Sequence, residues 1–98
     1  MSLNEVAVDL LSKLNENPEQ VLLDLTARES GFKDWKDQKT QCQMMSQLKI
    51  SSHPNNYRLL FAPGINQLSV EFYDVFDPTV GESFTVRLFI EKDGSVKM

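Results

Sequence analysis

The side chains best placed for chemistry are the carboxylates between Leu68 and Ile90. Glu71, Asp74, Asp77 and Glu82 precede the first base of that stretch, Arg87, whereas Gln38 to Val70 holds Lys39, Lys49 and Arg58 and no acid. Asp74 and Asp77 are the residue types that paired-carboxylate hydrolysis uses, one group donating a proton while the other stays ionised. Acidic pairs are common, however, and this one has no accompanying motif. Cys42 and His53 are the lone thiol and the lone imidazole, and nothing in their spacing makes them a nucleophile and its base. One Cys and one His cannot fill a zinc site, and the D-x-[DN]-x-[DN]-G order of a calcium loop is absent. There is no Walker loop, dinucleotide fingerprint or G-x-S-x-G. The expected reading is therefore a non-enzymatic chain with no metal and no cofactor, and hydrolysis by Asp74 and Asp77 is kept as an alternative.

Charge narrows the partner class. With a net charge of −4 and a pI near 4.8, the chain lacks the basic surplus by which nucleic-acid binders displace counterions. An acidic surface instead steers a basic protein into contact. The unpaired Cys42, the lack of a basic and apolar leader pattern and the absence of any apolar run near membrane-spanning length make cytoplasmic the expected compartment, with no membrane partner. Ninety-eight residues at 41% hydrophobic and 24% charged suit one globular domain, residues 1–98, as a monomer or homodimer.

The elements that must position these side chains follow from periodicity. Ser2-Leu3-Asn4-Glu5 fits a capping box, and Leu3, Val6, Ala7, Leu10, Leu11 and Leu14 form one stripe, predicting a helix over 3–15. Asn17 caps a second helix over 18–29 that starts at Pro18 and ends at Ser30-Gly31, with Gln20 completing a second box. Residues 31–42 read equally as a short helix or a loop, clamped to the core by Phe32 and Trp35. Trp35, if exposed, would be an interface anchor.

From Gln43 the period becomes two. Alternation through Ile50, then Tyr57–Phe61, Leu68–Phe76, Phe84–Glu91 and Ser95–Met98 predicts five strands, the last two joined by the Asp93-Gly94 turn. The expected fold is α+β, with the two N-terminal helices packed on one face of a five-stranded antiparallel β-meander spanning 43–98. In architecture alone this layout resembles helix-on-curved-sheet folds such as the cystatin-like class.

Within the main hairpin, pairing Phe72 with Leu88 places Val70 opposite Ile90, Phe76 opposite Phe84 and Asp74 opposite Val86, all on the core face. Asp74 is the discordant residue there, and a β-bulge near Tyr73 and Asp74 would turn it outward. If it stayed inside, it would belong to a small-ligand or enzymatic pocket between helices and sheet. The outward face would pair Glu71 with Phe89, Tyr73 with Arg87 and Val75 with Thr85. Glu71, Asp77 and Glu82 are expected in solvent. In size, charge and architecture the chain is similar to small inhibitor and immunity proteins, which implies a protein-binding module that covers a basic site. Glu71, Asp74, Asp77, Glu82 and Arg87 would then contact the partner, with Tyr73, Phe89 and Trp35 as anchors. A secretion-type chaperone is also small and acidic.

Overall fold

The computed structural model describes residues 2–42, 48–50 and 56–98. It is an α+β arrangement of three helices and one antiparallel sheet. Helix α1, Leu3–Glu16, begins where the Ser2 hydroxyl oxygen accepts the Glu5 N–H at 3.2 Å. Helix α2, Pro18–Glu29, begins likewise at Asn17, whose Oδ1 accepts the Gln20 N–H at 3.2 Å. In neither box does the Glu5 or Gln20 side chain accept the backbone N–H of the cap residue: the Glu5 carboxylate accepts the Ser2 hydroxyl, and the Gln20 amide donates forward to Asp24. Gly31, at φ +95°, follows α2 in the left-handed conformation that stops a helix.

The open question over residues 31–42 resolves as helix α3, Trp35–Gln41. Polar residues make so short a helix viable. The Asp34 side chain accepts the Asp37 N–H, and the Asp37 carboxylate accepts the Lys33 N–H and the Gln41 amide. The Trp35 N–H donates to Asp24 at 3.0 Å, tying α3 onto α2.

The sheet contains β1 (Lys49–Ile50), β2 (Tyr57–Ala62), β3 (Gln67–Asp77), β4 (Glu82–Ile90) and β5 (Val96–Lys97). It is not the expected meander. Both β1 and β2 pair antiparallel with β3, β1 opposite Val75 and Phe76 and β2 opposite Gln67 to Phe72, so they lie end to end along one edge. The sheet is therefore four strands wide, with β3 and β4 central and β5 on the far side. Alternating polarity cannot distinguish two strands side by side from one edge strand interrupted by an excursion, because both present the same face to the core. Residues 43–47 of the expected first strand, and 51–55 of the turn with His53, lie outside the described residues.

The helices cover one face of the sheet, α1 lying over β2 and β3 and α2 reaching β5. Leu3, Ala7, Leu10 and Leu14 of α1 and Val21, Leu22 and Leu25 of α2 meet Leu68, Val70, Phe72 and Val75 of β3 and Val86, Leu88 and Ile90 of β4. Each large side chain buried here contributes roughly 1.5–3 kcal/mol relative to exposure. Leu11, expected in the α1 stripe, is exposed, because the stripe that faces the sheet is narrower than the sequence pattern.

Candidate functional site

The geometry of the β3–β4 hairpin is set by a bulge. Phe72 pairs with Val86 and Val75 with Phe84, so Tyr73 and Asp74 together stand opposite the single residue Thr85. Asp74 takes φ +53°, a left-handed value that Asp tolerates better than most side chains, and its carboxylate is exposed. The Tyr73 N–H donates to the Asn56 carbonyl at 2.8 Å, extending the β2–β3 register by one residue. Thus the bulge sits opposite the point where the chain re-enters the edge between β1 and β2.

The bulge is where sequence reading expected it, but the register is not. On the helix-proximal side Val70 pairs with Leu88 and Glu71 with Arg87, a shift of two residues from the expected pairing. A two-residue slip keeps every side chain on its own face, so polarity alone cannot detect it; the turn decides. That turn runs over 78–81, closed by the Gly81 N–H on the Asp77 carbonyl at 2.8 Å and by the Asp77 carboxylate accepting the Thr79 N–H at 2.9 Å.

Four side chains of the hairpin lie otherwise than expected. Val75, expected outside, is fully buried, whereas Phe76, expected in the core, is 39% exposed, because the extra residue reverses which side chains face inward beyond Asp74. Phe84 stays on the core side of β4, opposite Val75, yet is 41% exposed. Glu71, expected in solvent, is 91% buried at the side chain: its Oε1 lies 2.9 Å from Arg87 Nη2 and its Oε2 accepts the Tyr73 hydroxyl at 3.0 Å. Glu71 and Arg87 thus satisfy each other, Glu71 buried and Arg87 exposed on the open face.

Trp35 is buried, as a clamping residue would be, and is not the exposed anchor of the other reading. It is only 7% exposed, held between α2 and α3 with the Lys39 ammonium 5.8 Å above its ring, so it offers no exposed anchor. Tyr73 and Phe89 are half-buried on the open face of the sheet. Phe89 lies in a row with Ser69, Leu60 and Lys97, beside a shallow depression of about 380 Å³ lined by Leu60, Ala62, Ser69 and Arg87.

What the structure brings together instead is the far end of the hairpin. Asp77 and Glu82 stand opposite each other, Asp74 projects from the bulge, and Val80 at the turn is 62% exposed. With Phe76 on one face and Phe84 on the other, the tip presents large apolar side chains on both faces and at its apex, among three carboxylates. Lys49, opposite Phe76, is the nearby base. Sequence reading missed Phe76, Val80 and Phe84 as surface residues. Val80 carried a usable signal, being a large apolar residue in a Pro-Thr-Val-Gly turn; the phenylalanines carried none.

Asp74 lines none of the depressions at the helix–sheet cleft or the open face, and among the described residues no group of three His, Cys, Asp or Glu side chains is arranged to hold a metal. Nor is any helix among them long and apolar enough to cross a membrane. Comparison with protein-family models, curated proteins and solved structures finds no match to this chain.

Proposed function

We propose that the chain is a non-enzymatic protein-binding module that applies the tip of the β3–β4 hairpin to a basic site on a partner protein, in the manner of an inhibitor or immunity protein. The observation that carries this reading is the joint exposure of Phe76, Val80 and Phe84 beside Asp74, Asp77 and Glu82. Apolar side chains left in water at the end of a well-ordered ladder gain by being covered, and the surrounding acids select a cationic cover. The two roles separate kinetically. The carboxylates raise the rate of encounter at low salt, while Phe76, Val80 and Phe84 slow dissociation once water is excluded.

Capture from the native cell extract with the wild-type chain, V80S/F84S and D77K/E82K tests this. A basic protein retained by the wild type should be lost with V80S/F84S. With that protein purified, D77K/E82K should slow association about tenfold at low salt and flatten its salt dependence. Binding that both double variants leave intact removes the tip from the contact.

A further inference from the structure

The other end of the fold carries a second unsatisfied surface. Among the described residues β2 pairs only with β3, and none of them pairs with the backbone N–H and C=O groups on the far side of Tyr57–Ala62. Proteins blunt such edges with charge, proline or a bulge. β2 has no proline or bulge, and its single charge is Arg58. It is apolar on both faces: Tyr57, Leu59 and Phe61 reach the core but are only partly buried, and Leu60 and Ala62 are half-exposed on the open face. The edge also lies within the acid-free stretch from Gln38 to Val70.

A helix flank continues this surface. At 100° per residue, Val6, Asp9 and Lys13 point toward α2, with which they line a small cleft of about 90 Å³, and residues 4, 8, 11 and 15 occupy the opposite flank. That flank stands over β2, as the hydrogen bond from the Tyr57 hydroxyl to Asn15 at 3.2 Å shows. On it Val8 is 63% and Leu11 46% exposed. An unprotected strand edge and an exposed apolar helix flank therefore share one side of the molecule.

We propose that this side is where two copies of the chain associate, β2 pairing antiparallel with its own copy about a two-fold axis through Leu60. The register is chosen by chemistry. An axis at Leu60 sets Leu59 opposite Phe61 of the second copy on the core side and Leu60 opposite its own mate on the open face. Arg58 then faces Ala62, and the two Arg58 residues lie four residues apart along the seam, about 14 Å, beyond the screening length of physiological salt. The helix layer closes over the same axis. α1 contacts both β2 and β3, and we take its axis to lie midway between them. A strand spacing of about 4.8 Å then puts the two α1 axes about 10 Å apart, the distance at which helices pack, with Leu11 and Val8 between them. Sheet and helix layers thus both continue across the axis, which a foreign strand at the edge would not achieve. Among the described residues the other long open edge, β4 from Glu82 to Leu88, is a poorer candidate, because Glu82, Ser83, Thr85 and Arg87 supply the polar protection that β2 lacks, and β1 and β5 are two residues each.

The test is the mass in solution between 1 and 200 μM by light scattering after size exclusion, together with amide hydrogen exchange. The wild type should shift with concentration from 11.2 kDa to twice that mass. Exchange in Arg58–Ala62 should slow as the dimer fills, with no change in Glu82–Leu88. V8E, at an exposed position that folding does not need, and L60K, which brings two ammonium groups to the axis, should each weaken association at least tenfold. V80S/F84S, at the distant tip, should dimerise like the wild type. A chain of 11.2 kDa throughout this range overturns the proposal, and so does a monomer that gains protection in β2 only when an extended peptide is added. A dimer untouched by V8E whose β2 exchange ignores concentration overturns it as well.

Discussion

Glu71 and Arg87 face each other across β3 and β4, Oε1 to Nη2 2.9 Å apart, with the carboxylate 9% and the guanidinium 58% exposed. The pair is asymmetric: the acid is desolvated and takes a second hydrogen bond from Tyr73, while the base stays hydrated. Exposure of Arg87 limits the Coulombic gain, whereas removing it strips a buried carboxylate of its counter-charge. A double-mutant cycle with E71Q and R87M, read by urea denaturation, should give a coupling of about 0.5–1 kcal/mol. R87M alone should cost more than E71Q alone, since only the former leaves a buried charge unpaired. Equal costs with no coupling would show that the register seen here does not hold in solution.

Asp74 should tolerate glycine and resist branching. At φ +53° an L side chain with a branched Cβ is strained by roughly 1–2 kcal/mol, and Gly is not. In chemical denaturation D74V should therefore lose about that much stability and D74G should be neutral or slightly more stable. A D74V midpoint equal to the wild type's would count against the bulge.

Apolar residues of the tip and of the core should behave oppositely. Phe72 is fully buried between the helices and the sheet, so F72A should cost about 3–5 kcal/mol and is expected to unfold much of the population. Val80 sits at an exposed apex, and V80S should change stability by no more than about 0.5 kcal/mol. Thermal melts of the two variants test the contrast, and a large loss in V80S would mean that the tip is packed rather than presented.

Two carboxylates should report the acid limb of stability. Asp37 is held below its ordinary 3.8 first by the Lys33 backbone N–H and then by the Gln41 amide, and Asp93 first by the Ser95 hydroxyl and then by the Ser95 N–H. Both folded-state values lie below the unfolded one. Their contribution is therefore complete above pH 3.8 and disappears as the pH falls through the folded values. Carboxyl-carbon NMR titration should place both midpoints below 3.8, and D37N and D93N should each flatten the pH dependence of stability below that point. A midpoint at or above 3.8 for either residue would contradict its hydrogen bonds.

Local signals determined a good deal of this protein from sequence. Capping residues set the starts of both long helices, Asp93-Gly94 set the final hairpin, and strict alternation from Val86 to Ile90 set the core face of β4. These work because each rests on chemistry within a few residues: an unpaired N–H, a left-handed turn, a two-residue repeat. The discordance of Asp74 on its strand likewise announced the bulge. Tertiary structure decided whatever depended on which distant segment lay alongside. Placing β1 and β2 on one edge made the sheet four strands wide, and the turn at 78–81 moved the register by two. The bulge then carried Phe76 out and Val75 in, and the same register drew Glu71 under Arg87 and Tyr73. The four acids of the hairpin, equivalent in sequence, are thereby divided into one buried structural carboxylate and three that surround an apolar tip. Face polarity repeats every two residues, so it cannot separate pairings that differ by two. Only contact between strands and the geometry of the turn can.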